Sequence, residues 1–192
     1  MNNNKSQIIY LIRHATPDWN RKDIPYDIPP GPPLVIQGEN EAAQLGAFLK
    51  KKGVRRMYFS PLERAKQTAE ICAKIANVEI KEENGIAEWR TAENEKQLSD
   101  RFFPVWDRVV QESQKTGPIA LVSHGGPIRL LLQKLGLPDG IMEKYRGQFD
   151  HGNPLPPAGI WKAEKSDESE CWDLSLVFIP NAASSKKTGI KS

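Results

Sequence analysis

Two of the three histidines stand in the same local setting, and that setting suits chemistry. His14 follows Ile8-Ile9-Tyr10-Leu11-Ile12-Arg13 and precedes Ala15-Thr16. His124 follows Ile119-Ala120-Leu121-Val122-Ser123 and precedes Gly125-Gly126-Pro127. Each apolar run has the length and continuity of a strand buried on both faces. Ligands of open α/β sheets bind just beyond the carboxyl ends of such strands, so both imidazoles are expected on one rim. A histidine at a strand end can equally cap a carbonyl, but two in matching contexts favour a shared site. The third, His151, lies in Phe149-Asp150-His151-Gly152-Asn153-Pro154, which has no apolar periodicity, and is read as a surface or structural residue.

The neighbours of these histidines are cationic or donor-rich. Arg13 precedes His14, and Gly125 and Gly126 after His124 can turn backbone N–H groups toward a ligand. Ser60-Pro61-Leu62-Glu63 reads as a capping box, with Ser60 as N-cap, proline at the first helical position and glutamate at the third. Arg64 then falls in a first turn whose free N–H groups and dipole already favour an anion. Two guanidiniums can fork onto phosphoryl oxygens, so the set describes an oxyanion pocket. A neutral imidazole can attack phosphorus to give a phosphohistidine that water then hydrolyses. The arginines would keep that imidazole neutral, and a backbone carbonyl on its other nitrogen would fix the tautomer. The leaving alkoxide needs an acid, and Glu88, beside Trp89 in Gly85-Ile86-Ala87-Glu88-Trp89-Arg90, is the candidate, with Glu93 and Glu95 as fallbacks. No metal motif competes for the histidines, so neither metal nor cofactor is expected. Arginines, histidine and backbone donors can neutralise a transferring phosphoryl group.

These residues need strands and helices to hold them. After the first strand comes a proline-dense loop, Pro25 to Pro33, which can be neither helix nor central strand and is expected to be a stiff lid or collar. Helical spacing runs from Gly38 to Lys52 and stops at Gly53. Val54–Phe59 reads as a strand, 60–76 as a helix and Val78–Lys81 as a short strand. A long helix is expected over Glu95–Lys115, with Phe102, Phe103, Val105, Trp106, Val109 and Val110 inward, and a central strand over Ile119–Val122. Pro127 opens a helix through Leu135, and Gly159–Lys165 and Cys171–Ile179 read as a closing pair of strands. The alternation predicts one three-layer α/β/α domain over 1–180, its sheet mostly parallel, with a disordered tail over 181–192.

Composition narrows the function. The net charge of +3 comes from Lys186, Lys187 and Lys191 in an acid-free tail; without them the remaining Lys and Arg balance the 24 Asp and Glu. A neutral body argues against nucleic-acid binding through a broad basic face. The polar amino terminus leads directly into a short strand, so neither a signal peptide nor a membrane span is expected and the location is read as cytoplasmic. Cys72 and Cys171 lack the spacing of a zinc or redox motif and are read as reduced packing residues.

The motifs also resemble a family. Arg-His-Ala-Thr at 13–16 with Trp19-Asn20 after it, Ser-Pro-Leu-Glu-Arg-Ala-Lys-Gln-Thr-Ala at 60–69 and Val-Ser-His-Gly-Gly at 122–126 are similar, in order and over about residues 8–180, to the histidine phosphatase superfamily, phosphoglycerate mutase-like branch. The resemblance implies His14 as nucleophile, Arg13, Arg64 and His124 on the phosphoryl group, Glu88 as proton donor and Asn20 lining the pocket. Leu34, Gly38 and Glu41-Ala42 match a helix entry in which the family carries glutamine at Glu41. The chain departs from the pattern at Ala15, where the family has glycine, with Thr16 a substitute hydroxyl; at Ile86-Ala87-Glu88, where it has Leu-Arg-Glu; and in lacking the Gly-x-Trp-Glu-Gly that often follows. Trp19 and Tyr26 are expected to meet substrate. The implied function is a metal-independent phosphatase acting on a small phosphoester or a phosphoprotein. The alternatives are a mutase using the same pocket and a phosphate-binding module without turnover.

Overall fold

The computed structural model describes residues 6–166 and 169–181. Six strands form one sheet, β1 (Gln7–Arg13), β2 (Arg56–Phe59), β3 (Glu79–Glu82), β4 (Ile119–Ser123), β5 (Ile160–Lys165) and β6 (Asp173–Phe178), in the spatial order β3-β2-β4-β1-β5-β6. The first four are mutually parallel, β5 runs antiparallel to β1 and β6 antiparallel to β5. The sheet is therefore mixed and mostly parallel.

Helices cover both faces. Because side chains alternate along a strand, Tyr10 and Ile12 of β1 face one way and Ile9 and Leu11 the other. The first pair packs with Leu45 and Leu49 of α1 (Ile36–Lys51) and Ala65, Ala69 and Cys72 of α2 (Glu63–Ala76). The second packs with Phe102, Val105, Trp106 and Val109 of α3 (Glu95–Thr116) and Ile128 and Leu131 of α4 (Gly125–Lys134). Fully burying an aliphatic side chain is worth about 1.5–3 kcal/mol. The completely buried Ile9, Leu11, Ile12, Leu121 and Val122 thus make β1 and β4 the stable centre on which the site is built.

The structure departs from expectation at three places. α2 begins at Glu63, with Leu62 in the capping position and no side-chain cap; the Ser60 hydroxyl is committed to His124 instead. Secondly, α5 (Asp139–Arg146) was not anticipated, since it is eight residues long and buries only Met142, too little for a legible apolar stripe. Thirdly, Cys72 is buried, but Cys171 is exposed and is no core residue. Trp106 is core, as expected. The tail from 182 and the His151 side chain lie outside the described residues. Among those residues no helix is long and apolar enough to cross a membrane.

Candidate active site

Register brings the two histidines together. β1 and β4 pair Arg13 with Ser123, so the next residues leave the sheet side by side, and the His14 N–H donates to the Ser123 carbonyl at 2.9 Å. The rings lie 5.1 Å apart. Strand β2 ends at the same level: Phe59 pairs with Val122, which puts Ser60 beside His124, with its Oγ 2.7 Å from Nε2. Arg64, in the first turn of α2, enters from one side and Glu88, after a 3-10 turn at Asn84–Ile86, from the other; Arg64 Nη2 donates to Glu88 Oε2 at 3.3 Å.

The His14 ring is fixed in one tautomer. His14 Nδ1 lies 2.8 Å from the Ala15 carbonyl; a carbonyl can only accept, so Nδ1 carries the hydrogen and Nε2 keeps the lone pair. The Ser60 hydroxyl accepts from the Leu62 N–H at 3.4 Å, and giving its own hydrogen to His124 Nε2 would leave Nδ1 as the N–H nitrogen of that ring. His124 Nδ1 lies 3.4 Å from Glu88 Oε2 without a hydrogen bond between them. Burial, reinforced by Arg64, holds both imidazoles well below their ordinary range, so both are neutral. Burial has the opposite effect on Glu88, pushing its carboxyl up against the pull of Arg64.

Four buried side-chain polar atoms lack a hydrogen-bond partner among the described residues. Three of them are Arg13 Nε, Arg64 Nε and His124 Nδ1, all belonging to this cluster. Buried donors are nearly always satisfied in native proteins, and three together with no acceptor fit an anion. The donor atoms of His14, Glu88 and His124 lie within 4.8 Å of one another and could also hold a metal ion. The adjoining guanidiniums favour negative charge.

A cavity of about 450 Å³ opens over His14, lined also by Arg13, Glu88, Gly125, Gly126 and Asn153, with Trp19, Lys22 and Tyr26 on the side of the proline-rich loop. Tyr26 spans loop and site. Its ring lies 3.9 Å from the Arg64 guanidinium carbon, its carbonyl accepts from Arg64 Nη1 at 2.8 Å and its hydroxyl lies 3.5 Å from His14 Nε2. Trp19 stacks on it at 5.4 Å.

The structure thus brings together Arg13, His14, Arg64, Glu88, His124 and Gly125. Thr16 and Asn20 do not line this cavity. The Thr16 N–H and hydroxyl are bound to Glu41 of α1, and exposed Asn20 turns its N–H to Asp18. Nor do Glu93 and Glu95, which pair with Arg101 and Lys134. Ala15, fully buried, packs in the core and donates its N–H to Thr68. Residues the sequence did not suggest serve as supports. Arg101 donates to the carbonyls of Gly85, Ala87 and Glu88, Ser123 holds the Ile86 carbonyl at 2.7 Å, and Asp150 grips Arg13 through both terminal nitrogens.

The chain is 28% identical over 166 residues to "Uncharacterized phosphatase PhoE" of Bacillus subtilis (strain 168), covering 72% of this chain and 82% of that protein. It is 27% identical over 164 residues to "Probable phosphoglycerate mutase GpmB" of Salmonella paratyphi B, covering 68% and 75%. Among solved structures, phosphoglycerate mutase from Bacillus anthracis superposes with a TM-score of 0.73 at 17% identity, covering 91% of this chain and 93% of that one. A mycobacterial glucosyl-3-phosphoglycerate phosphatase gives 0.69 at 17% identity, covering 90% and 98%. The family model for the histidine phosphatase superfamily, branch 1, matches residues 9–97 and 90–153, and the chain belongs to that superfamily.

Proposed function

We propose that the protein is a phosphatase that passes the phosphoryl group of a small phosphomonoester to His14 and then to water. The observation that carries this reading is a neutral imidazole, its Nδ1–H tied to the Ala15 carbonyl, at the floor of a cavity that Arg13 also lines, with Arg64 and His124 buried behind it and the Nε of both arginines unpartnered among the described residues. In the first step the His14 Nε2 lone pair forms a bond to phosphorus while the bond to the leaving oxygen breaks, and Glu88 gives its proton to that oxygen. In the second, Glu88 as carboxylate takes a proton from water, the water oxygen bonds to phosphorus and the P–N bond breaks, releasing phosphate and restoring both groups. Arg13, Arg64 and His124 hold the phosphoryl oxygens throughout, preorganised by their hydrogen bonds. The cavity holds more than a phosphoryl group, so the leaving group lies against Trp19, Lys22 and Tyr26.

The test is phosphate release from aryl and alkyl phosphates in the presence of EDTA, comparing the wild type with His14→Ala. The wild type turns over, and the variant loses about 10³-fold or more. Isomerisation of a phosphorylated acid without net phosphate release would instead make the protein a mutase, and hydrolysis that survives in His14→Ala would remove His14 as nucleophile.

A further inference from the structure

Arg13 carries five N–H donors in a rigid plane, and three are already committed. Nη1 and Nη2 each donate to a different oxygen of Asp150, at 2.6 and 2.7 Å, an end-on fork onto one carboxylate. Nη1 gives its second hydrogen to the Leu155 carbonyl at 3.1 Å. What remains is the Nε hydrogen and the second hydrogen of Nη2. These two lie parallel on the side edge of a guanidinium, a spacing that matches two oxygens of one phosphoryl group. Nε is buried and has no partner among the described residues, and Arg13 itself is 2% exposed.

Asp150 holds the guanidinium from outside the cavity. It lines a separate groove with Thr16, Trp19 and Pro156, whereas Arg13 lines the cavity over His14. Its own backbone is braced, since the Asn153 N–H and side-chain amide both donate to the Asp150 carbonyl at 3.1 Å. Asn153 in turn lies so close to Gly125 that a Cβ there would stand 1.8 Å from its Oδ1. A continuous chain of contacts therefore runs from the start of α4 through Asn153 and Asp150 to Arg13.

We propose that Asp150 is a positioning residue that presents the Nε–Nη2 edge of Arg13 to the phosphoryl group, an inference that rests on the phosphatase reading above. Without the carboxylate the guanidinium keeps only the single Leu155 bond of these three, and its open edge is less firmly aimed at the anion. Asp150 lines a groove outside the cavity over His14, so it acts on the phosphoryl group through the Arg13 fork.

The test is a double-mutant cycle of Asp150→Asn and Arg13→Lys, with Asp150→Ala as a second variant that leaves no mispaired amide. The readouts are inorganic phosphate affinity by calorimetry and kcat/KM for one phosphomonoester. In the Arg13 background either Asp150 substitution weakens phosphate binding and lowers kcat/KM by about tenfold or more. In the Arg13→Lys background the same substitutions change both by less than about twofold, because an ammonium has no fork to aim. Equal losses in both backgrounds would reduce Asp150 to general structural support and overturn the proposal. Unchanged or tighter phosphate binding in Asp150→Asn would overturn it too, making the carboxylate a competitor of the anion. If the wild type hydrolysed no phosphoester, the phosphatase reading would fall, and the phosphate affinities of the cycle would still decide the role of Asp150.

Discussion

His14 and Glu88 are displaced from their ordinary pKa values in opposite directions, and burial is the leading cause for both. The proposed first step needs His14 unprotonated and Glu88 protonated. A lowered imidazole keeps His14 competent well below pH 6.5, and a raised carboxyl keeps Glu88 competent above its usual range, so activity falls on the alkaline side as Glu88 ionises. Glu88→Gln is expected to abolish that alkaline limb in kcat/KM. In kcat/KM, which reads the transfer to His14 and not the later attack by water, it should cost about 10²–10⁴-fold with an alkyl phosphate and less than about tenfold with an aryl phosphate whose leaving group needs no proton; equal losses in kcat/KM on both substrates would take the proton-donor role from Glu88. The residues with this chemistry were legible because strand ends and a helix start betray themselves in short stretches of sequence. Their partners were not: Ser60 and His124 are 64 residues apart, and Arg13 and Asp150 are 137 apart. A side-chain hydrogen bond across such distances leaves no local spacing to read.

Among the elements, α3 does more than cover the sheet. Arg101 sends its guanidinium into the segment before Glu88 and binds three carbonyls there, at 2.8 to 2.9 Å, while pairing with Glu93. A segment with only a three-residue 3-10 turn of its own is thereby fixed to a 22-residue helix. Arg101→Gln is expected to leave three part-buried carbonyls without this donor and lower stability by about 1–3 kcal/mol, measured by denaturant unfolding. It should also repeat the Glu88→Gln signature in weaker form, slowing alkyl phosphates more than aryl phosphates. Full stability with unchanged alkyl phosphate hydrolysis would show that the segment holds its own shape. Periodicity revealed the helix but gave no sign of this role, because Arg101 looks like any charged residue on a solvated face. The converse holds at α2: Ser60 fitted a capping box, yet its hydroxyl is drawn away to His124, and tertiary contact overrode a local signal.

For the molecule as a whole, three adjacent parallel strands end at one level and deliver Arg13-His14, Ser60 and Ser123-His124 to a common rim. That much followed from two apolar runs and their order. The antiparallel β5 and β6 extend the sheet away from the site. A site with unsatisfied buried donors is stabilised by whatever fills it, so inorganic phosphate at 100 times its Kd should add about 2.7 kcal/mol to the stability of the folded state. For a chain of this size that is a rise in Tm of about 5–10 °C, expected in the wild type and lost in Arg64→Gln. A phosphate-independent Tm in the wild type would contradict the anion site.

The proposed reaction requires a phosphohistidine at His14. Wild-type enzyme mixed with an aryl phosphate, quenched under denaturing alkaline conditions that preserve P–N bonds and digested for mass spectrometry, should carry one phosphoryl group on the peptide containing His14. That adduct should be absent from His14→Ala and should accumulate when Glu88→Gln slows attack by water. A wild type that turns over with no phosphoryl adduct at any quench time, or with the adduct on His124, would contradict the mechanism.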